Sequence, residues 1–280
     1  RQRCSCSLRF GGIWRNVEVF VLEEIKKLAI SAGDAILEVY RSEDLGVSHK
    51  EDKSPLTEAD KRADDIIVKG LKALTPDLPR LTEESAKEAF DIRKSWNTFW
   101  LVDPLDGTKE FIKKTGQFTV NIALIENGSP VMGVVWAPEI EILYWAEKGK
   151  GAFKSDKDGE HSVRTRKAPS ERLSIVASKD HAGPQVEALK RQFEGCELKS
   201  MGSSLKLCLV AEGEADLYLR DAPTMEWDTG AAHAIVREAG GLVQVWNGKE
   251  GVEELVYNKE NLRNPQFLVK GDPGFDVRLS

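Results

Sequence analysis

Residues 100–111 read Trp-Leu-Val-Asp-Pro-Leu-Asp-Gly-Thr-Lys-Glu-Phe. The apolar run at 99–102 predicts a buried strand that ends at an Asp-Pro turn. After this strand, Asp103 and Asp106 stand three residues apart, and a backbone carbonyl lies between them on a turn whose geometry the proline restricts. Hard divalent cations such as Mg²⁺ prefer oxygen ligands of this kind. The stretch therefore predicts a position at which a cation binds.

The same stretch admits a simpler interpretation. Gly107 allows the backbone to come close to a ligand and Thr108 supplies a hydroxyl group, but polar residues also form ordinary turns between a strand and a helix. An aspartate in such a turn often caps the helix that follows. The stretch alone leaves both interpretations open.

Length, charge and hydropathy limit the class of protein. The chain has 280 residues and a formal charge of −6, from 40 basic and 46 acidic residues. This charge argues against a protein that coats a nucleic acid polymer, although a few lysines or a metal ion can still attract a small anionic substrate. The longest apolar runs, such as residues 131–138, are too short to span a bilayer, so no transmembrane segment is expected.

The cysteines and the first residues give expectations about the compartment and the start of the fold. The four cysteines are too few and too scattered for a disulfide framework, which favours a reducing, cytoplasmic location. They are Cys4, Cys6, Cys196 and Cys208. Residues 1–15 contain four arginines and no acidic residue. We predict that residues 1–20 form a disordered N-terminal extension.

Hydrophobic periodicity predicts two halves with different patterns. Helices are predicted at 21–40, 57–74, 184–193, 203–211 and 229–239. Strands are predicted at 99–102, 118–125, 131–136, 142–146, 173–177, 217–219 and 242–245. A hairpin turn at 126–130 makes part of the first sheet antiparallel, whereas strands and helices alternate in the second half. The charged stretch 154–167 places the boundary between residues 21–155 and residues 156–280, and the fold class is layered α/β.

Further acidic residues accompany Asp103 and Asp106. Glu83 and its neighbour Glu84 lie in a predicted loop, Asp60 follows a helix-capping threonine, and Asp228 opens a predicted helix. Each has an ordinary explanation, since loop glutamates are usually solvated and aspartates favour helix N-termini. Together they are candidates for a single site.

Three motifs resemble one known family. Glu83-Glu84, the Asp-Pro-Leu-Asp-Gly-Thr motif at 103–108 and Trp-Asp-Thr-Gly-Ala-Ala at 227–232 resemble the lithium-sensitive, Mg²⁺-dependent phosphatases of the inositol monophosphatase superfamily. Residues 53–60, 116–125 and 202–206, with Lys-Glu-Phe-Ile after the threonine, resemble its CysQ-type 3′(2′),5′-bisphosphate nucleotidase branch. The resemblance implies a layered α-β-α-β-α sandwich of the inositol monophosphatase and fructose-1,6-bisphosphatase type.

The resemblance also implies roles for individual residues. The implied ligands of two or three Mg²⁺ ions are Glu83, Asp103, the backbone carbonyl of Leu105, Asp106 and Asp228. Clustered carboxylates agree with this role because they repel one another unless cations neutralise them. Asp60 and Thr108 are the implied pair that activates the attacking water. Li⁺ is expected to inhibit by competing for a Mg²⁺ position.

Substrate contacts are predicted around the same motif. Gly107, Thr108 and Asp228 are expected to contact substrate beside the metal ions, whereas Lys109 either contacts a phosphate or pairs with Glu110. Gly202 and Lys206 are expected to hold a second phosphate at the start of a helix. Ser178 and His181 match in spacing a pair that contacts nucleotide in related enzymes, although His181 is equally compatible with a surface loop.

The expected function is Mg²⁺-dependent removal of the 3′-phosphate from adenosine 3′,5′-bisphosphate (PAP), which gives AMP, with PAPS, giving APS, as a second substrate. The alternatives are an inositol- or sugar-phosphate phosphatase on the same metal site, and a catalytically idle protein that senses metal or nucleotide. The expected partner is a small nucleotide and no nucleic acid polymer. A monomer and a homodimer are both compatible with the sequence, as is a peripheral position at the cytoplasmic face of the membrane.

Overall fold

The apolar run at 99–102 lies in the long second strand of a seven-stranded sheet. The computed structural model describes residues 13–49, 55–169, 172–177 and 183–279. Its helices are α1 Ile13–Tyr40, α2 Glu58–Leu74, α3 Phe90–Arg93, α4 Thr108–Ile112, α5 Pro184–Gln192, α6 Leu205–Ala211 and α7 Gly230–Glu238, with a 3₁₀ turn at Glu226–Asp228. Its strands are β1 Ser48–His49, β2 Pro55–Leu56, β3 Arg80–Thr82, β4 Thr98–Asp106, β5 Thr119–Glu126, β6 Ser129–Ala137, β7 Ile142–Glu147, β8 Gly151–Asp156, β9 Gly159–Val163, β10 Ser174–Ala177, β11 Glu197–Ser200, β12 Leu217–Arg220, β13 Leu242–Trp246, β14 Gly251–Glu254 and β15 Phe267–Lys270.

The first sheet follows the order of the chain. Its strands lie in the order β3-β4-β5-β6-β7-β8-β9, in which β3 and β4 are parallel and all later pairs are antiparallel. The hairpin predicted at 126–130 is confirmed, since β5 and β6 meet at Asn127 and Gly128, both with positive φ. Such a turn matches the right-handed twist of the flanking strands.

Strand β4 does not end at residue 102, as the sequence predicted, but continues to Asp106. Asp103 pairs with Asn121 and Asp106 pairs with Thr119. Between these pairs, β4 advances by three residues while β5 advances by two. This extra residue is a β-bulge, which Pro104 tolerates because no ladder hydrogen bond from its nitrogen is needed there. The bulge, and not a strand-ending turn, places the two aspartates.

The second sheet is mixed and has the order β11-β10-β12-β15-β13-β14. The predicted boundary at residues 155 and 156 falls inside the last hairpin of the first sheet, because β8 and β9 carry that sheet on to Val163. Strand β9 was missed because four of its five residues are exposed at the sheet edge, where a strand has no apolar pattern.

The two sheets and the helices form five layers, which confirms the layered α-β-α-β-α fold. Helices α1 and α2 cover one face of the first sheet, α6 and α7 lie between the sheets, and α5 covers the outer face of the second sheet. Trp100 and Val102 point towards α1 and α2, whereas Phe99 and Leu101 pack on the α7 side. The run is apolar at every position because both faces of β4 are buried.

Helices α1 and α7 each show one local feature: where α1 begins, and how closely α7 packs on the first sheet. Helix α1 begins at Ile13 and not at residue 21, so the later part of the expected extension is helical, while residues 1–12 lie outside the described residues. Helix α7 approaches the first sheet very closely, because a Cβ atom at Gly133 would lie 2.1 Å from the carbonyl oxygen of Ala231. This contact brings the start of α7, and Asp228 just before it, against the end of β4.

Candidate active site

Three carboxylates from distant parts of the chain meet at the end of β4. One oxygen each of Glu83, Asp103 and Asp228 lies within 4.8 Å of the others. Glu83 directly follows β3, and its N–H donates to the carbonyl of Val102 at 3.1 Å, which continues the parallel pairing with β4. Asp228 ends the 3₁₀ turn before α7. The fold thus gathers three of the predicted metal ligands.

The cluster is electrostatically unfavourable without a cation. Asp103 is only 1% exposed, and burial raises its pKa well above the usual range, with further increases from Glu83, Asp106, Asp228 and Asp60 in that order. Burial and the neighbouring Asp106 also raise the pKa of Asp228. A divalent cation that prefers carboxylate oxygens would remove this repulsion, so the donor set fits such a metal.

Asp106 lies between this cluster and the neighbouring cavity. Its Oδ2 accepts from the hydroxyl of Ser204 at 2.8 Å and lies 3.4 Å from Nδ2 of Asn121. Burial raises its pKa, whereas Lys206 and the Ser204 hydrogen bonds partly counteract this rise. Asp106 therefore contacts polar groups from both halves of the protein.

Asp60 combines the capping role with a place in the site. Its Oδ2 accepts from the N–H and the hydroxyl of Thr57, at 2.7 and 2.6 Å. Its other oxygen, Oδ1, lies 3.4 Å from the hydroxyl of Thr108, which is also 3.4 Å from the carbonyl oxygen of Leu105. The helix cap and the catalytic hypothesis are thus compatible, because each uses a different oxygen.

Leu105 presents its carbonyl beside these groups while its side chain is buried. The N–H of Leu105 donates to Oδ1 of Asp103 at 3.1 Å, which fixes the backbone within the bulge. The implied ligand carbonyl thus lies within a short, hydrogen-bonded segment of backbone.

A cavity of about 270 Å³ adjoins the acidic cluster. Gly107, with φ of 93°, forms part of its wall and leads into α4. Its cationic lining residues are Lys109, Lys206 and Arg220, and its acidic lining residues are Asp106, Glu110 and Asp228. The cavity therefore combines three cations with the edge of the carboxylate cluster.

The cations of this cavity include the buried Lys206 and the half-buried Arg220. Lys206 donates from Nζ to the carbonyl of Ser203 at 2.7 Å, and burial lowers its pKa to about 8 although Asp106 acts in the opposite direction. Nε of Arg220 is buried and has no hydrogen-bond partner among the residues that the structure describes. A cation with an unpaired, buried donor atom favours an anionic ligand.

The remaining predicted substrate contacts are Gly202, Ser178 and His181. The N–H of Gly202 donates to Oε1 of Gln117 at 2.9 Å, so it is engaged within the protein, and Gly202 does not line the cavity. Helix α6 begins at Leu205 and not at residue 203. Ser178 and His181 lie outside the described residues.

Three residues of the site were not assigned from the sequence. Arg220 carries only the weak signal of a cation at the end of a strand predicted for 217–219. Ser204 lies in the segment 202–206, which was assigned only through Gly202 and Lys206. Asn121 is a polar residue among the apolar residues of 120–125, a signal that could have pointed to a buried hydrogen bond.

The acidic neighbour of Asp228 has a different role. Glu226 is fully buried and accepts from the N–H of Asn258 at 2.7 Å and from the N–H and Nζ of Lys259 at 2.9 and 2.7 Å. A paired carboxylate of this kind stabilises the loop that carries Asp228.

Within the described part of the chain, no helix has the length and apolar content of a membrane span.

Comparison with known proteins agrees with this fold. The inositol monophosphatase family model matches residues 19–270. The 3′(2′),5′-bisphosphate nucleotidases CysQ of Salmonella typhimurium and Escherichia coli K12 are 46% and 45% identical to this chain over 251 residues, which cover 89% of this chain and 99% of each relative. The crystal structure of CysQ from Bacteroides thetaiotaomicron, a bacterial member of the inositol monophosphatase family, has 43% identity and a TM-score of 0.78, and the match covers 92% of this chain and 97% of that one. The resemblance predicted from the motifs is confirmed: the chain belongs to the inositol monophosphatase family.

Proposed function

We propose that this protein is a Mg²⁺-dependent 3′(2′),5′-bisphosphate nucleotidase that removes the 3′-phosphate of adenosine 3′,5′-bisphosphate. The observation that carries the proposal is that a carboxylate cluster suited to cations adjoins a cavity suited to an anion. The carboxylate cluster of Glu83, Asp103 and Asp228 suits metal ions, and the adjoining cavity contains Lys206 and Arg220. The names of the CysQ relatives support the same activity.

The metal centre uses the acidic residues already described. Glu83, Asp103, Asp106, Asp228 and the carbonyl of Leu105 would hold two or three Mg²⁺ ions. When bound, these ions neutralise phosphate charge and make water more acidic. Phosphoryl transfer needs mainly positioning and neutralisation of charge, which suits a site made from fixed carboxylates.

Asp60 and Thr108 would handle the proton of the attacking water. Oδ1 of Asp60 accepts the hydroxyl hydrogen of Thr108, which turns the oxygen lone pairs of Thr108 towards the site. As the water oxygen bonds to phosphorus, one water proton passes to the Thr108 oxygen while the original hydroxyl proton passes to Asp60. The bond between phosphorus and the 3′-oxygen breaks in the same step, and the departing oxygen takes a proton from solvent water to become the 3′-hydroxyl of AMP. Asp60 ends the step protonated and Thr108 is unchanged.

The cavity would recognise the second phosphate of the substrate. Arg220 offers a planar fork of donors and Lys206 a compact charge, and these two types of cation bind phosphate in complementary ways. Gly107, Thr108 and Lys109 border the transferred phosphate in this proposal. Inositol 1-phosphate has no second phosphate, so the cavity favours a bisphosphate, with PAPS as a second substrate.

A substrate panel tests the proposal. Phosphate release is measured from adenosine 3′,5′-bisphosphate, PAPS, AMP and inositol 1-phosphate, with Mg²⁺ and with EDTA. We expect kcat/KM to be at least tenfold higher for the bisphosphate than for inositol 1-phosphate, and turnover to cease in EDTA. Equal turnover of the two would refute the nucleotidase assignment and favour the inositol- or sugar-phosphate alternative. The nucleotide contacts of Ser178 and His181, the oligomeric state and the cytoplasmic location stay predictions.

A further inference from the structure

The hydroxyl group of Ser204 joins two implied metal ligands from opposite halves of the chain. Its Oγ lies 2.8 Å from Oδ2 of Asp106 and 2.9 Å from the backbone carbonyl oxygen of Asp228. Ser204 is the N-cap residue of α6, yet its side chain makes no capping bond. A serine at this position usually caps its own helix. Here the hydroxyl is hydrogen-bonded to Asp106 instead, which indicates a role other than helix capping.

Asn121 contacts both Ser204 and Asp106. Its Nδ2 lies 2.7 Å from Ser204 Oγ and 3.4 Å from Asp106 Oδ2. Ser204 is 2% exposed and Asn121 is 1% exposed, so water does not compete effectively for these bonds. Because an amide nitrogen only donates, the Ser204 oxygen accepts from Asn121 and keeps its single hydrogen for another partner. The carboxylate of Asp106 takes this hydrogen, since a charged oxygen is a stronger acceptor than the carbonyl of Asp228.

The donors act on one oxygen of Asp106, which leaves its second oxygen for a cation. The fixed bulge of β4 holds the backbone of Asp106, and β5 carries Asn121 beside it in the same sheet. Ser204, in contrast, comes from the segment before α6, two residues ahead of Lys206. The hydrogen bond thus connects the carboxylate to the helix that supplies a cation to the cavity.

We propose that Ser204 and Asn121 are positioning residues that orient Asp106 for the divalent cation and couple it to helix α6, which carries Lys206. This inference rests on the proposed function, since it concerns the same metal centre. Hydrogen bonds from surrounding residues orient ligating carboxylates, and their loss commonly lowers metal affinity 10- to 100-fold. Neither residue is required to contact the substrate or the ion.

Calorimetric titration of the metal-free protein with Mg²⁺, without substrate, tests this role. We expect Ser204→Ala to raise the dissociation constant about tenfold or more, and Asn121→Ala to raise it by a smaller factor. Ser204→Cys keeps a weak donor of similar size and should lie between Ser204→Ala and the unaltered protein. This graded series distinguishes a hydrogen-bond role from a loss of volume.

The matched control is Ser174→Ala in β10. Ser174 is equally buried, and its hydroxyl has no hydrogen-bond partner within the described ranges. We expect this variant to bind Mg²⁺ as the unaltered protein does, and circular dichroism with the metal-free melting temperature checks that each variant folds. Should Ser204→Ala unfold, Ser204→Cys and Asn121→Ala carry the test.

The outcomes separate this inference from the proposed function. Mg²⁺ affinities within twofold of the unaltered protein for folded Ser204 and Asn121 variants would overturn the positioning role alone. If Ser174→Ala lost as much Mg²⁺ affinity as Ser204→Ala does, the positioning role would be overturned as well. If the unaltered protein bound no Mg²⁺, both the proposed metal centre and the positioning role would fail.

Discussion

Neutralising the centre of the carboxylate cluster should stabilise the metal-free protein. In Asp103→Asn, the side chain keeps an oxygen that accepts from the N–H of Leu105, so the bulge of β4 is retained. The substitution removes a charge that burial and neighbouring acids oppose. We therefore expect a higher melting temperature without metal, together with a loss of stabilisation by Mg²⁺.

The separation of the oxygens sets the size of this effect. Oxygens of Glu83, Asp103 and Asp228 come within 4.8 Å of one another, and two unit charges at this distance repel by about 3.5 kcal/mol at an effective dielectric constant of ~20. Part of the repulsion is relieved by bound protons. We expect a gain of about 2 kcal/mol in the free energy of unfolding, or a rise in melting temperature of roughly 4 °C.

The gain in stability from Asp103→Asn should increase with pH. Because the folded protein raises the pKa of Asp103, the folded state binds its proton more tightly than the unfolded state does. The stability of the metal-free protein therefore decreases as pH rises from the usual aspartate pKa through the raised value. The advantage of Asp103→Asn should be small near pH 5 and larger near pH 8, as measured by calorimetry in EDTA.

Asp216→Asn is the matched control with the opposite expected sign. Asp216 is also buried, but it accepts from Nε and Nη2 of Arg166 at 2.8 and 2.9 Å and from the N–H of Ser174 at 2.6 Å. Loss of this half-buried ion pair, together with the charge that accepts from Ser174, should lower the melting temperature. A comparable decrease for metal-free Asp103→Asn would refute the electrostatic explanation of the cluster.

Further predictions concern turnover and substrate binding. Asp60→Asn should lower kcat at least 100-fold in phosphate-release assays, while Mg²⁺ affinity in calorimetry stays within threefold; unchanged kcat would exclude Asp60 from the proton transfer. Lys206→Met should raise KM for the bisphosphate at least tenfold but leave KM for a monophosphate unchanged, and equal effects on both would contradict the second-phosphate role. Because burial lowers the pKa of Lys206 to about 8, KM of the unaltered protein should rise above that pH as the ammonium loses its charge, whereas Lys206→Arg should remove this rise. Li⁺ should inhibit turnover, and added Mg²⁺ should reduce this inhibition. Full activity in Li⁺ at limiting Mg²⁺ would argue against competition for a metal position.

The sequence predicted the elements that are buried on two faces. The run at 99–102 was recognisable because β4 packs against helices on both sides. Strand β9 was not recognisable, because exposed edge positions accept polar residues. The bulge between Asp103 and Asp106 depends on the register of β5, which no local pattern encodes.

The candidate site was predicted through motifs more than through spacing. Asp60 and Asp228 have ordinary capping explanations, and each accepts from a backbone N–H three residues earlier while it faces the site. The bond of Asp228 closes the 3₁₀ turn, whereas the N-cap of α7 is Thr229. The convergence of Asp60 and Asp228 with Glu83 is a property of the tertiary fold. Ser204 was missed for the same reason, since its partners Asp106 and Asn121 lie far away in the chain. Arg220 was missed because the cavity that it lines forms only when distant segments meet.

The strand order has a consequence for how the chain assembles during its synthesis. The first sheet adds its strands in chain order, so each new strand finds its neighbour already made. Strand β15, the last strand of the described chain, instead lies between β12 and β13 in the second sheet. The second sheet therefore remains split until residues 267–270 have left the ribosome. A chain cut just before β15 would lose the middle of this sheet and not its edge, and the cavity beside Asp228 would lose the side chain of Phe267 from its wall.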